Sequence, residues 1–325
     1  MSIARASPTR QEAPLPTILF AAKSERWTTY EPHLRTALAE QGLDHAHLTT
    51  EADPADVDYI IYAPNSGLSD FTPYTRLKAV LNLWAGVEDV VGNPTLRVPL
   101  ARMVDEGLTD GMVEYVTGHV LRHHLGMDTH IHGQDGRWRD DSTPPLARDR
   151  SVAVLGLGVL GSACAQSLAA LNFRTHGWSR SAKSIRGVTC HHGTGGLDGA
   201  LRAAQIVVLL LPNTPATDST LNACSLALLP KGAVIINPGR GALIDDEALL
   251  AALDAGHIGH ATLDTFRVEP LPADHRYWSH PRVTVTPHIA SATRPASASR
   301  TLARNIRRAE KGETLHHLVD RDLGY

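Results

Sequence analysis

Residues 151–171 constrain this chain more than any other stretch. SVAVL is a short apolar run that enters Gly156-Leu157-Gly158-Val159-Leu160-Gly161, and SACAQSLAAL (162–171) continues with a helical pattern. A Gly-x-Gly-x-x-Gly alone is a weak signal, but between a strand and a helix it stands in the context that gives it meaning. The first glycine permits a tight turn and the second lets a pyrophosphate approach the backbone. The third lets helix and strand pack closely, with the helix N-terminus facing the phosphate charge. Such a turn belongs to a parallel α/β sheet.

The chain keeps that rhythm on both sides of the turn. Downstream, short apolar strands are expected at 174–180, 204–212, 232–239, 259–266 and 283–288, with helical patterns at 222–229 and 245–254. That alternation predicts a doubly wound parallel sheet. Upstream, strands are expected at 18–23, 58–64 and 77–83, with a helix over 30–41 and a turn at Gly42, which sets up a second α/β domain. Apolar residues at 112, 113, 116, 120, 121 and 125 predict a helix over 110–127. The Gly-, Pro- and charge-rich stretch 133–149 predicts a loop or crossover. A final helix is expected over 291–311, and the last dozen residues read as a tail crossing to another surface. Residues 1–16 read as a mobile tail, with an organelle-targeting peptide as the weaker alternative.

Composition bounds the rest. With 325 residues, 42% of them apolar, the chain has room for two domains with real cores. A net charge of −3 gives no basic surplus for nucleic acid. No apolar run approaches the length of a membrane span, and the N-terminal residues lack the apolar core of a secretory signal. Cys164, Cys190 and Cys224 are an odd, scattered set that suggests a reducing compartment, hence the cytoplasm. The 18 histidines include adjacent pairs but no metal-ligand spacing, so no metal site is expected.

Two further constellations carry chemistry. An NAD site would place a carboxylate on the ribose hydroxyls about 20 residues after the glycine turn. Here that position lies in Trp178-Ser179-Arg180-Ser181-Ala182-Lys183, with no carboxylate. Ser179, Arg180, Ser181 and Lys183 instead offer a cationic, hydroxyl-rich surface for a 2′-phosphate; the alternative is a solvated basic turn. The other constellation is dispersed. Arg240 (INPGRG), Glu269 (LDTFRVEP) and His288 (VTVTPHIAS) each follow an expected strand, at the carboxyl end where open α/β sheets bind ligands. Together they form a kit for reducing a keto acid. The arginine grips a planar carboxylate, the histidine gives a proton to the oxygen as hydride reaches carbon, and the glutamate orients the imidazole and favours its charged form.

These residues bring the sequence to a family. The stretches VLGLGVLGSACAQSL, LLLPNTPATDSTLN, LLPKGAVIINPGRGALIDDEALLAALDAGHIGHATLDTFRVEPLP and HPRVTVTPHIASATRP resemble the D-isomer-specific 2-hydroxyacid dehydrogenases. The resemblance is nearest to the bacterial glyoxylate/hydroxypyruvate reductase A branch, on GWSRSAKS, LLPNTPAT, PLPADHRYWSHPRVTVTPHIASATRP and the closing Gly324-Tyr325.

The resemblance implies an α/β fold of two Rossmann-like domains. A coenzyme domain over 111–287 would be inserted in a smaller, flavodoxin-like, discontinuous substrate domain of 17–110 plus 288–325. It implies Arg240, Glu269 and His288 as the catalytic set. Cofactor contacts would come from the glycine turn with Val159 and Leu160, from Ser179 to Lys183 around Arg180, and from Leu211, Pro212, Pro215 and Asp264. Trp84, Ala85, Gly86 and Val87 would line the substrate loop, with backbone amides of Gly86 and Val87 on the substrate carboxylate. Arg294 would be a second anionic contact. NADPH is the implied cofactor, with NAD possible, and the implied assembly is a homodimer.

Two departures stand out. Trp84 replaces the small residue usual before Ala-Gly-Val, and Asp264-Thr265-Phe266 replaces the usual Asp-Val-Phe. The expected activity is NADPH-preferring reduction of small 2-keto acids such as glyoxylate and hydroxypyruvate. Larger alkyl or aryl keto acids are one alternative. A dinucleotide-binding regulator without turnover, on the same scaffold, is the other.

Overall fold

The computed structural model describes residues 15–138, 140 and 143–325, so the expected mobile tail lies outside the described residues up to position 14. The chain forms two compact units. One runs up to Met103 and resumes over Pro295–Asp322, and the other comprises Val104–Arg294 with Leu323–Tyr325.

The first unit opens with β1 (Thr17–Ala21), α1 (Ser24–Glu40), β2 (His47–Thr49), β3 (Tyr59–Tyr62), β4 (Ala79–Asn82), α2 (Glu88–Val91) and β5 (Leu100–Ala101). Its sheet has the order β2-β1-β3-β4-β5, with every pairing parallel. That is the flavodoxin-like order.

The second unit continues with α3 (Glu106–His124), α4 (Met127–His132), β6 (Ser151–Leu155), α5 (Val159–Ala170), β7 (Arg174–Ser179), β8 (Val188–His192) and α6 (Gly193–Ala203). It is completed by β9 (Ile206–Leu209), α7 (Ala223–Leu226), β10 (Ala233–Asn237), α8 (Asp246–Asp254), β11 (Ile258–Leu263) and β12 (Val283–Val285). The order β12-β11-β10-β9-β6-β7-β8 is all parallel and reverses direction at β6. The chain then returns to the first unit as α9 (Pro295–Glu310), which packs on α1 and β4.

The strands read as unbroken apolar runs because both faces of each sheet are covered. In the second unit, Ala153, Leu155, Val207, Leu209 and Ile235 belong to one buried cluster. Their neighbours Val152, Val154, Ile206, Val208 and Ile236 belong to another. The first unit divides in the same way, with Ile18, Phe20, Tyr59 and Ile61 on one face and Leu19, Ile60 and Tyr62 on the other.

The unit boundaries differ from the expected 110/111 and 287/288. The first falls just before the cap of α3, where the Asp105 carboxylate accepts a hydrogen bond from the Leu108 amide at 2.9 Å. The second falls at Pro295, which occupies the first position of α9 in place of the expected helix start at 291. The last three residues also sit with the larger unit rather than with the rest of the C-terminal segment. Among the described residues no helix is long and apolar enough to cross a membrane.

The C-terminal part of α3 lays His123 on the second sheet, beside His260 of β11. His123 Nε2 lies 2.9 Å from Thr262 Oγ1, and His260 Nε2 lies 2.9 Å from Thr284 Oγ1, with the two rings 4.9 Å apart. Burial, and then the neighbouring His260, push His123 down to about 3. Burial, and then Arg122, push His260 down to about 4. Both rings are therefore neutral in the folded chain near pH 7, whereas an unfolded histidine titrates near ~6.5. Between that value and the folded values the unfolded chain binds protons that the folded chain does not. Stability is therefore expected to fall as pH drops from about 6.5 toward 4. The ceiling is ~1.4 kcal/mol per pH unit for each ring, reduced by solvent screening at these half-buried positions. Denaturant melts at pH 7 and pH 5 should show this loss, and His123→Gln with His260→Gln should flatten it.

Candidate active site

The glycine turn lies at the carboxyl end of β6, where the strand order reverses, the place at which open α/β sheets bind ligands. Gly156 has φ +103°, a conformation that side chains rarely adopt, and a Cβ there would meet the Leu210 carbonyl oxygen at 2.5 Å. A Cβ on Gly161 would fall 1.7 Å from the Gly156 oxygen, so α5 can approach the turn this closely only through a glycine. Gly158, by contrast, faces open space. It is the N-cap of α5 and supplies no side-chain cap, and the first turn of α5 has no acidic residue. The first amides of α5 are thus left for an external anion. Val159 is exposed and Leu160 half-buried at the same corner. This cradle fits a dinucleotide pyrophosphate.

The carboxyl ends of the flanking strands complete the cradle. After β7, Ser179 is buried and its hydroxyl donates to the Ser181 carbonyl at 2.8 Å, which closes a local turn. Arg180, Ser181 and Lys183 are exposed beyond it. After β9, Leu211 is buried. The loop that contains Pro212 and Pro215 is held by Thr217, whose hydroxyl donates to the Pro212 carbonyl at 2.6 Å and accepts from the Thr214 amide at 2.9 Å.

The three dispersed candidates all belong to the second unit. His288 Nδ1 lies 2.7 Å from Glu269 Oε2, and Glu269 Oε1 accepts the Phe266 amide at 2.9 Å. A carboxylate only accepts, so the proton of this contact sits on Nδ1 and the Nε2 edge is left for another partner. The His288 side chain is half exposed. Its backbone takes φ +54° and is held there by the His288 amide donating to the Asp264 and Thr286 carbonyls, at 2.8 and 3.0 Å. Arg240 ends the turn after β10. The Asn237 side chain donates to its carbonyl at 2.8 Å and accepts the Gly239 amide at 3.2 Å. A Cβ on Gly241 would lie 1.9 Å from the Phe266 carbonyl carbon. The Arg240 turn and the Glu269 loop therefore touch backbone to backbone, and only glycine fits between them.

Asp264, implied by the resemblance as a cofactor contact, lies at the end of β11. It is fully buried. Its Oδ1 accepts the Thr286 hydroxyl at 2.6 Å and the Ile289 amide at 2.9 Å, and its Oδ2 accepts the Ala290 amide at 2.9 Å. Tyr115 reaches the same Thr286 hydroxyl at 2.7 Å. This buried carboxylate props the loop that carries His288.

Arg267 is a residue that sequence reading missed. Its guanidinium donates to the Ile244 and Ala242 carbonyls, to Asp218 Oδ1 and to Ser219 Oγ, all at 2.8–3.0 Å. It ties the segment after Arg240 and the loop after Thr217 to the loop that holds Glu269. Nothing in the string LDTFRVEP distinguishes such an arginine from a solvated one.

The substrate-loop candidates belong to the first unit. Trp84, Ala85 and Gly86 are half-buried and Val87 is buried. The Asn82 side-chain amide donates to the Trp84 carbonyl at 3.0 Å and to the Gly86 carbonyl at 2.7 Å, which fixes the course of the loop. The Trp84 side chain packs against the apolar cluster that holds Leu81 and Leu83. Arg294, the last residue of the second unit before α9, is exposed. Among the described residues there is no group of three or more His, Cys, Asp or Glu side chains placed to hold a metal ion.

Comparison with known proteins adds to this geometry. The profile described as "D-isomer specific 2-hydroxyacid dehydrogenase, NAD binding domain" matches residues 117–290. The chain is 40% identical over 281 residues to a glyoxylate/hydroxypyruvate reductase A of Serratia proteamaculans, covering 84% of this chain and 88% of that protein. A D-isomer specific 2-hydroxyacid dehydrogenase from Xanthobacter autotrophicus Py2, solved with NADPH and MES, is 38% identical with a TM-score of 0.90, covering 95% of this chain and 99% of that one. An NADPH-dependent glyoxylate/hydroxypyruvate reductase from Sinorhizobium meliloti, solved with NADP and sulfate, is 33% identical with a TM-score of 0.83, covering 95% and 100%.

Proposed function

Because this chain belongs to the D-isomer specific 2-hydroxyacid dehydrogenase family, we propose that it reduces small 2-keto acids, glyoxylate and hydroxypyruvate foremost, to 2-hydroxy acids with a preference for NADPH. The observation that carries this reading is the 2.7 Å contact between His288 Nδ1 and Glu269, on a loop propped by buried Asp264 and beside the turn of Arg240. A protein that only sensed a dinucleotide would have no use for it.

NADPH, when bound, supplies the hydride to the keto carbon. Every other part falls to the chain. The Arg240 guanidinium is planar and presents paired N–H donors, which match the carboxylate and the adjacent keto oxygen. Its grip polarises the carbonyl and fixes the face presented for attack. The His288 imidazolium donates the Nε2 proton to the oxygen as negative charge builds there. Glu269 accepts from Nδ1 throughout, which holds the ring in place and keeps Nε2 turned to the substrate oxygen. In the oxidative direction the neutral ring takes the hydroxyl proton back at the same nitrogen. The amides of Gly86 and Val87 are assigned to the substrate carboxylate, and Arg294 to a second anionic contact.

Cofactor preference is assigned to the exposed Arg180, Ser181 and Lys183, with no carboxylate at the end of β7 to hold unphosphorylated ribose. Exposed apolar side chains along one stretch, Leu125, Met127, Ile131, Trp138 and Leu146, support a homodimer built through this region. The unpaired cysteines support a reducing, cytoplasmic setting.

The stereochemistry tests the reaction. Hydroxypyruvate and NADPH should yield D-glycerate, read by chiral chromatography. L-glycerate or a racemic product would contradict the family's hydride geometry at this site.

A further inference from the structure

The closing Gly324-Tyr325 has so far had no role. Gly324 and Tyr325 are half-buried while residues 321–323 are exposed. Gly324 turns with φ +81°, and its Cβ position lies 3.7 Å from Thr214 Cγ2, in the loop after β9. The Tyr325 ring lies under the Arg180 guanidinium, with its centroid 5.6 Å from the guanidinium carbon, at the end of β7. β9 and β7 are the two neighbours of β6 in the sheet. Two consecutive residues therefore bridge the loops on either side of the glycine turn.

We infer that Tyr325 is a specificity-determining residue of the cofactor site, whose ring holds Arg180 in position to receive an adenosine 2′-phosphate. This inference rests on the proposed 2′-phosphate role of Arg180. A guanidinium lies flat on an aromatic face and keeps its N–H groups around the rim. With the ring on one side of the guanidinium, donors on its other edges remain available for a phosphate. An exposed arginine left alone would lose rotamer freedom on clamping that phosphate, whereas one already held by a ring loses less. The gain is therefore confined to ligands that carry the 2′-phosphate.

Direct binding tests this without turnover. The probes are adenosine 2′,5′-bisphosphate and 5′-AMP, titrated calorimetrically into the full-length protein, with NADPH and NADH as a second pair followed by nicotinamide fluorescence. Tyr325→Ala should weaken adenosine 2′,5′-bisphosphate and NADPH by about two- to fivefold, the scale of an exposed cation–π contact, and leave 5′-AMP and NADH within error. Tyr325→Phe should bind like the parent. Arg180→Ala should weaken the 2′-phosphorylated pair by roughly 10–100-fold, the scale of a charged hydrogen-bonding contact. Unchanged or equal losses for both ligand classes in Tyr325→Ala, with Arg180→Ala still selective, would overturn the role of Tyr325 alone. Loss of selectivity in Arg180→Ala would overturn the 2′-phosphate reading beneath it.

Discussion

Replacing His288 by Ala is expected to lower kcat for glyoxylate and hydroxypyruvate by ~10²–10⁴-fold, the usual worth of a positioned general acid. The structure isolates this effect well. The imidazole is half exposed and pairs with Glu269, so its loss opens no core cavity. The glycine turn that would hold the dinucleotide lies on another strand, and NADPH affinity should stay close to that of the parent. His288→Gln is the companion variant, since it keeps bulk and polarity without an ionisable proton, and it should be nearly as slow. Rapid reduction by either variant would remove His288 from the mechanism. The backbone of His288 has φ +54°, so a thermal melt of each variant should accompany the kinetics. A shift of the melt without loss of kcat would assign the residue to the fold instead.

Arg240→Lys carries the next largest expectation, a fall of roughly 10²–10³-fold in kcat/KM, comparable with removing one preorganised donor from an oxyanion site. Lysine keeps the charge but loses the planar fork that matches carboxylate and keto oxygen together. Steric change is limited, because the turn is fixed by backbone groups and the Asn237 side chain rather than by the guanidinium alone. The loss should appear in both KM and kcat for the keto acid, while NADPH binding is retained. A lysine variant that keeps parental kcat/KM would show that point charge suffices and that the fork plays no part.

Much of the architecture was legible because of how parallel sheets are buried. Strands covered on both faces read as unbroken apolar runs, and β6, β9 and β10 were plain for that reason. The elements that were missed lack that signature. β5 has two residues, β2 has three, and β8 is an edge strand whose CHH sequence is only partly buried. α6 carries four glycines in GTGGLDGALRA and hides its helical face behind two buried residues, Ala200 and Leu201. α1 begins at Ser24, ahead of the expected 30, because the apolar spacing becomes regular only in its second half.

The candidate site was legible as residue types at strand ends and less so as contacts. Glu269 and His288 lie 19 positions apart, and only the fold shows that they meet. Asp264 is a cofactor contact only by what the resemblance implies. Its complete burial, which no sequence pattern states, gives it to the His288 loop. Arg267 carries no local signature, and the closing Gly324-Tyr325 marks the branch without showing its contacts, since the partners of both residues lie in loops far away along the chain.

The central claim, an NADPH-preferring reductase of small 2-keto acids, is tested most directly by kcat/KM for glyoxylate, hydroxypyruvate, pyruvate and phenylpyruvate, each with NADPH and with NADH. The account predicts the highest values for glyoxylate and hydroxypyruvate, and higher values with NADPH than with NADH for every substrate turned over. Apolar pockets separate close substrates by merely ~1–3 kcal/mol, so the order among the small acids matters less than their lead over phenylpyruvate. A clear preference for phenylpyruvate, a preference for NADH, or tight NADPH binding with no turnover of any of the four would contradict it.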